Sequence, residues 1–163
     1  MAPAPIADGV LPSLYIDGDW LGSESGESFE STSPGSGRSL GFLARGTRAD
    51  AVRAIEAANR AAPGWARRSA FERAAILERV VGVIEGRREA LAEALTLDQG
   101  KPLGEAQGEV EELIVYFKMA AADATRIEGL MPPSVDARKR VLVYRAPLGV
   151  VGVITPWNWP YTM

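Results

Sequence analysis

The chain has 163 residues, which is enough for one domain with its own hydrophobic core. Its formal net charge is −3, with acidic and basic residues mixed throughout, so nucleic acid is not an expected partner. Because cysteine and histidine are absent from the sequence, the chain supplies no thiol nucleophile, no histidine base and none of the usual zinc ligands. Without these ligands we expect no bound metal. The sequence shows neither a bilayer-spanning apolar stretch nor a signal peptide, so we expect no membrane partner and a cytoplasmic protein.

The first third of the chain predicts a tail and small β-structure. Residues 1–13 are rich in Pro and Ala and are expected to form a flexible tail. Leu14–Leu21 predicts a hairpin, because Asp17-Gly18 supplies two positive-φ positions for a type I′ turn. A second strand pair is predicted at Ser28–Thr32 and Ser39–Ala44.

The hydrophobic period then changes from two to 3.6, which predicts four helices. The first two begin at capping signals, Thr47–Asp50 and the S-x-x-E box Ser69–Glu72. Pro63-Gly64 is expected to end the first helix, and Gly100 is expected to end the third as a left-handed cap. The predicted ranges are about 47–62, 69–86, 87–98 and 103–127.

Two strands are predicted after the helices. Lys139–Ala146 alternates like a strand with one solvated face. Val150–Ile154 is apolar without alternation, as expected of a strand that is covered on both faces. A strand of this kind belongs to a parallel α/β sheet, in which ligands bind at the loops after the carboxyl ends of the strands. The loop 155–163 is therefore the candidate binding site.

Asn158 is the strongest single candidate in this loop. Its amide N–H groups could donate to an oxyanion that forms during acyl chemistry. The alternative is that Asn158 closes an Asx-type turn ahead of Pro160. Trp157 and Trp159 could form walls for a planar ligand, or they could fill space at a domain boundary.

Charged residues near the third and fourth helices also allow two interpretations. Glu105, Glu109, Glu111 and Glu112 could include an acid/base pair or metal ligands, but a solvated helix face is the favoured interpretation. Lys101 could bind a phosphate, or it could interact favourably with the carboxyl end of a helix.

Taken together, these motifs resemble those of NAD(P)-dependent aldehyde dehydrogenases. Residues 147–160 read PLGVVGVITPWNWP, which is similar to that family's P-L-G-V-V-G-x-I-T-P-W-N-F-P segment, with Trp159 in place of the usual Phe. The hairpin, the turn Ser33–Gly37 and the segment Asp98–Pro102 also resemble the family. The resemblance covers Leu14 to Met163 but only the opening part of the family's sequence.

The resemblance implies an α/β fold, namely the N-terminal part of a modified Rossmann-type cofactor-binding domain over 14–163, with β-hairpins, a helical cluster and the first core strand. It implies that 131–146 includes part of an oligomerisation strand region, so that the full-length protein would be a homo-oligomer. The implied reaction oxidises an aldehyde to an acid through a thiohemiacetal and a thioester, with NAD or NADP accepting the hydride. The implied cofactor-binding residues are Thr155, Pro156, Trp157 and Asn158, and Asn158 is also the implied oxyanion donor.

The family's nucleophilic Cys, its general-base Glu and its ribose-binding Lys lie further along the family's sequence. Since the chain has no Cys, we expect these 163 residues alone to be inactive. Three hypotheses stay open: the N-terminal portion of a longer enzyme, one subunit of a split enzyme, and a non-catalytic module that docks on a full-length relative. In isolation, Val150–Ile154 would expose an apolar edge, so low solubility or a partly molten state is expected.

Overall fold

The computed structural model describes residues 10–11 and 13–163. Within these residues, short strands come first and helices follow. The strands are β1 Val10–Leu11, β2 Leu14–Ile16, β3 Asp19–Leu21, β4 Ser28–Thr32 and β5 Ser39–Ala44. The helices are α1 Arg48–Ala66, α2 Ala70–Glu85, α3 Arg88–Gln99 and α4 Leu103–Ala124. No helix among the described residues is both long enough and apolar enough to cross a membrane.

The strands form two small sheets. β2 and β3 pair antiparallel, and Asp17 and Gly18 between them have φ values of 56° and 95°, so the predicted positive-φ turn is confirmed. β4 and β5 pair antiparallel at the predicted positions. β1 adds to β5 in parallel, although it belongs to the segment predicted to be a flexible tail. Among the other residues of that predicted tail, 1–9 and 12 lie outside the described residues, and Ser13 is described.

Both predicted capping boxes are present. The backbone N–H of Asp50 donates to the Thr47 hydroxyl at 3.3 Å, and the backbone N–H of Thr47 donates to the Asp50 carboxylate at 2.9 Å. Ser69 and Glu72 exchange the same two bonds at the start of α2. Each box satisfies amide groups that have no partner inside the helix, which explains why α1 and α2 begin where they do.

Two predicted helix ends are wrong. α1 continues through Pro63 to Ala66, although proline donates no hydrogen bond inside a helix, and its last turn closes with a bond from Arg67 N–H to the Pro63 carbonyl at 3.3 Å. α4 ends at Ala124 rather than near Ile127. There the Thr125 hydroxyl donates to the Ala122 carbonyl at 3.0 Å and so satisfies one of the last carbonyls.

The hydrophobic core lies between α2, α3 and α4. Its members come from one face of each helix, in agreement with the helical period predicted from the sequence. The buried cluster consists of Val81, Ile84, Ala92, Leu95, Ala106, Val110 and Ile114. Tyr161, which is far from these residues in the sequence, packs against the same cluster and connects the carboxyl-terminal loop to it.

The two predicted late strands are wrong for the described chain. Lys139–Ala146 contributes a single bridge, in which Leu130 and Val143 exchange two backbone hydrogen bonds of 2.8 Å. Val150–Ile154 has no regular structure, and the exposed fraction of its large side chains runs from 37% to 101%. A parallel strand needs a hydrogen-bonded neighbour, and the described residues place none beside this segment. Its exposure does agree with the apolar edge that was expected of the isolated chain. The architecture observed is therefore mixed helix and strand without the first core strand.

Candidate functional site

The loop that carries Asn158 lies against the connection between α3 and α4. A cleft of about 250 Å³ separates the two. Gln99, Lys101 and Pro102 line it on one side, and Trp157, Asn158 and Trp159 line it on the other. The loop is brought here by side-chain and backbone contacts and not by a preceding strand, because Val150–Ile154 forms none.

Glu109 and Tyr161 make the most buried of these contacts. The Glu109 side chain has no exposure to solvent. One of its oxygens, Oε1, accepts a hydrogen bond of 2.8 Å from the backbone N–H of Tyr161, and the other, Oε2, forms an ion pair with Lys101. The Tyr161 hydroxyl donates to the Leu91 carbonyl at 2.9 Å. The end of the loop is thereby attached to both α3 and α4.

Two further contacts flank Asn158. The Gln99 amide donates to the Trp157 carbonyl at 3.1 Å. The Lys101 ammonium lies 4.2 Å from the centroid of the Trp159 ring, a favourable cation–π distance. Trp159 itself adopts a left-handed φ of 56°, and its carbonyl accepts from the Thr162 N–H at 3.1 Å. The backbone on either side of Asn158 is thus held in place.

The Asn158 side chain is exposed at the cleft. Within the part of the chain that the structure describes, its amide makes no hydrogen bond, so the alternative of an Asx-type turn is not what this side chain does here. An exposed amide on a braced loop is free to donate to a ligand. An oxyanion donor needs an N–H group that is not already used by the protein, and the Asn158 amide meets that condition among the described residues.

The other residues predicted to bind the cofactor differ in placement. Thr155, Pro156 and Trp157 are all exposed, and Trp157 lines the cleft while Thr155 and Pro156 lie outside it. The Trp157 residue is 83% exposed, so it fills no space among the described residues. The Gln99 Oε1 atom is buried beside the cleft and has no hydrogen-bond partner among the described residues.

Two interpretations of charged residues need correction. Glu105, Glu111 and Glu112 are exposed as predicted, but Glu109 is buried and paired, so the prediction of a solvated face is wrong for it. Lys101 does not serve mainly as a helix-end charge, because its ammonium contacts Glu109 and Trp159. The signal was present in the sequence: Glu109 is three residues after Ala106 and four before Leu113, so it falls on the apolar stripe of α4.

Burial affects the electrostatics of Tyr161, the residue that attaches the end of the loop to α3 and α4. Desolvation raises the pKa of the Tyr161 phenol above its ordinary value, and the negative charges of Glu109 and Asp98 raise it further. The phenol therefore stays protonated at neutral pH and keeps donating to the Leu91 carbonyl.

Sequence reasoning missed Gln99, Glu109 and Tyr161 as site residues. Their function depends on contacts between positions that are distant along the chain.

With this geometry established, comparison with known proteins identifies the family. Residues 20–163 match the aldehyde dehydrogenase family, and the chain belongs to it. The chain is 41% identical over 149 residues to 3-sulfolactaldehyde dehydrogenase of Pseudomonas putida, a match that covers 91% of this chain and 31% of that protein. It is 39% identical over 148 residues to the NADP(+) succinate-semialdehyde dehydrogenase of Escherichia coli K12, with the same two coverages. The chain thus spans about a third of the length of these curated relatives.

Solved structures show the same relationship. A succinate-semialdehyde dehydrogenase from Burkholderia pseudomallei superposes with a TM-score of 0.88 at 42% identity, covering 91% of this chain and 31% of that one. An NADP-dependent enzyme of E. coli gives a TM-score of 0.89 at 38% identity, with coverages of 93% and 31%. A betaine aldehyde dehydrogenase variant from Staphylococcus aureus, solved in complex with NAD+, gives 0.86 at 33% identity, again covering 93% and 31%.

Proposed function

We propose that these residues are the N-terminal part of an oxidoreductase that oxidises an aldehyde to a carboxylic acid with NAD or NADP as the hydride acceptor. The observation that carries the proposal is the Asn158 amide, which makes no hydrogen bond within the described part of the chain and lies on a loop held on both sides, in a chain of the aldehyde dehydrogenase family. The substrate class follows from the relatives, whose names are those of aldehyde and semialdehyde dehydrogenases.

The chemistry assigns one task to this chain. Attack of a nucleophile on the aldehyde carbon turns the carbonyl oxygen into an oxyanion, and a hydride must then leave the same carbon. An N–H donor that is already oriented stabilises the negative charge without reorganisation, which is worth about 2.7–4 kcal/mol for one donor. Asn158 is proposed as that donor. Because the sequence has no Cys, these residues by themselves are expected to be inactive.

The exposed residues of the loop fit part of a nicotinamide-cofactor site. The Trp157 indole offers a flat apolar surface and Thr155 offers a hydroxyl. We propose that Thr155, Pro156, Trp157 and Asn158 line the cofactor. When bound, the cofactor accepts the hydride, whereas these residues orient it and exclude water.

The finer architecture is part of the same proposal. Residues 14–163 would form the N-terminal part of a modified Rossmann-type cofactor domain, in which Val150–Ile154 becomes a core strand once neighbouring strands cover it. Residues 131–146 would include part of an oligomerisation strand region, which would make the full-length protein a homo-oligomer. The exposed apolar side chains of both segments support this assignment. The expected cytoplasmic location stays a prediction, which fractionation of the source cells would test.

The test is the variant Asn158→Ala in the product of the complete gene. We expect kcat to fall by about 10²–10³, because one oxyanion donor is lost, with little change in the binding of NAD or NADP. Steady-state kinetics with succinate semialdehyde and other small aldehydes provide the measurement. The matched control is Asn59→Ala, at the other asparagine of the chain, which is exposed on α1 and should keep the parental rate. An unchanged kcat in Asn158→Ala would contradict the proposal.

A second candidate function is that of a split-enzyme subunit or a docking module. The observation in its support is that the apolar side chains of Val150–Ile154 are exposed and could be covered by another chain. Mixing this chain with a separately expressed remainder of a family enzyme would test it. Activity that appears only on mixing supports a split enzyme, and inhibition of an intact relative supports a docking module. Neither activity nor binding would remove both ideas.

A further inference from the structure

Glu109 is in an unusual place for a carboxylate. It is fully buried on α4, on the same face as Ala106 and Val110, which are 0% and 1% exposed. Burial of an ionised carboxylate costs free energy unless hydrogen bonds and an opposite charge compensate for it. A buried ion pair can often be replaced by apolar residues of similar volume without loss of stability. A buried pair of this kind is therefore weak evidence of a stabilising role, and its contacts are the better guide to what it does.

The bonding of Glu109 indicates a more specific purpose. Its two oxygens contact two different segments: Lys101 in the connection before α4, and the backbone N–H of Tyr161, which is 52 residues further along the chain. A carboxylate accepting a backbone N–H makes a charge-assisted hydrogen bond, which is stronger and more directional than a neutral one. The pair thus fixes the end of the loop relative to α4.

Lys101 extends this restraint to the other side of Asn158. The same ammonium that pairs with Glu109 lies over the Trp159 ring, and the preceding Gln99 binds the Trp157 carbonyl. The residues immediately before and after Asn158 are therefore contacted by the last residue of α3 and by the α3–α4 connection, and Lys101 in turn is oriented by Glu109. Asn158 is the residue between them whose amide is left free for a ligand.

We propose that Glu109 is a positioning residue, which together with Lys101 holds the loop 157–161 so that the Asn158 amide is aimed into the site. This inference rests on the proposed function, since it assigns Glu109 a task in the same oxyanion site. Glu109 does not touch the reacting atoms. Its effect on the reaction passes through the loop and Asn158.

Two variants separate positioning from folding. Glu109→Gln keeps the size of the side chain and removes its charge. The double variant Glu109→Leu with Lys101→Met removes both charges together, so no unpaired charge stays buried and the fold should be retained. Glu109→Leu removes the acceptor of the Tyr161 N–H, whereas Glu109→Gln leaves a neutral and weaker acceptor in its place. The matched control is Glu112→Gln, at an exposed position on the same helix.

The first measurement is hydrogen exchange in the product of the complete gene. In the double variant, which loses one hydrogen bond to a charged acceptor, we expect the amides of 157–159 and 161–162 to exchange about tenfold faster. In Glu109→Gln, which keeps a neutral acceptor, we expect a smaller acceleration of the same amides. Amides in α2 should be unchanged, and Glu112→Gln should resemble the parent. Unchanged exchange in the loop for both variants would overturn the proposal whatever the enzyme's activity.

The second measurement is a kinetic cycle with Asn158→Ala. We expect Glu109→Gln to lower kcat about tenfold with KM for the aldehyde nearly unchanged, and to add no further loss in the Asn158→Ala background. Losses that multiply would overturn the proposal, because Glu109 would then act independently of Asn158. Faster loop exchange with full kcat in both Glu109→Gln and Asn158→Ala would overturn the proposed function, while the anchoring of the loop by Glu109 would stand.

Discussion

Gly100 determines where α3 ends. It also determines how closely the α3–α4 connection approaches the turn between β4 and β5, which contains Pro34. Its φ of 77° lies in the left-handed region, and its N–H donates to the Thr96 carbonyl at 2.9 Å. A Cβ atom built on Gly100 would lie 2.9 Å from the Pro34 side chain. The conformation and the space thus both require glycine here. Because Gly100 lies between Gln99 at the end of α3 and Lys101 in the connection, this one residue also supports the candidate site.

Gly100→Ala is therefore expected to lower the free energy of unfolding by about 1–3 kcal/mol, from the strained φ and the contact with Pro34. Chemical denaturation followed by circular dichroism would measure the change. Gly108→Ala is the matched control, because Gly108 lies inside α4 with open space around it and the substitution should stabilise by up to about 1 kcal/mol. Equal effects at the two glycines would contradict this account.

At the scale of elements, the amino end of α1 is attached to the loop that precedes β4. The Ser23 hydroxyl and the Glu24 N–H donate to the Asp50 carboxylate at 2.8 and 3.1 Å, in addition to the capping bond from Thr47. The backbone N–H of Thr47 is the largest cause that lowers the pKa of Asp50, to about 2, and it outweighs the desolvation that raises it. The cap thus also joins the helix to the sheet region.

The lowered pKa predicts how stability depends on acid. Since the carboxyl is more acidic in the folded chain, its contribution is present above its ordinary value of 3.8 and is lost as pH falls toward about 2. Asp50→Asn should lower stability at neutral pH and flatten the decline between about pH 5 and 2. Chemical denaturation at a series of pH values would measure how the free energy of unfolding depends on pH in both proteins. Glu72, whose pKa is lowered by its bond to the Ser69 N–H, should still contribute part of the decrease in stability at low pH in the Asp50→Asn variant.

The control for this prediction is Glu56→Gln, an exposed position on the same helix, which should leave the acid-dependent decline in place. An Asp50→Asn variant with the parental slope would show that the folded and unfolded states bind protons equally at this residue.

At the scale of the whole molecule, apolar side chains are distributed unevenly. The core between α2, α3 and α4 is well buried, whereas the segment 141–154 is exposed along its length. Val151 and Ile154 are 62% and 101% exposed on a segment that has no regular structure and no strand partner among the described residues. An exposed apolar segment that can pair as a strand is a template for association with another chain.

We therefore expect this 163-residue chain to self-associate through 150–154. Val151→Lys combined with Ile154→Lys should reduce association, because lysine opposes edge-to-edge pairing. Sedimentation velocity at increasing protein concentration would measure the size distribution. The matched control is Val52→Lys with Ile55→Lys, which changes an exposed Val/Ile pair on α1 and leaves the segment 150–154 intact. A monodisperse parent chain, or equal effects of the two pairs, would contradict the prediction.

Local signals in the sequence determined much of this protein. The Asp17-Gly18 turn, the two capping boxes and the Gly100 stop each act within a few residues, so the hairpin and the helix starts could be predicted from them. The P-W-N segment likewise identified the family, because it is read directly along the chain. The assignment of roles to Thr155–Asn158 came from that resemblance, and it stays a prediction.

Only the tertiary structure decided how the loop is held. Glu109 was expected on a solvated face and Val150–Ile154 in a buried strand, and both expectations were wrong for the described residues. The physical reason is the same in both cases: burial depends on what packs against a residue, and the partners lie far away in sequence or are missing from the described chain. Local pattern determines which elements can form, and long-range contacts determine which faces of them are covered.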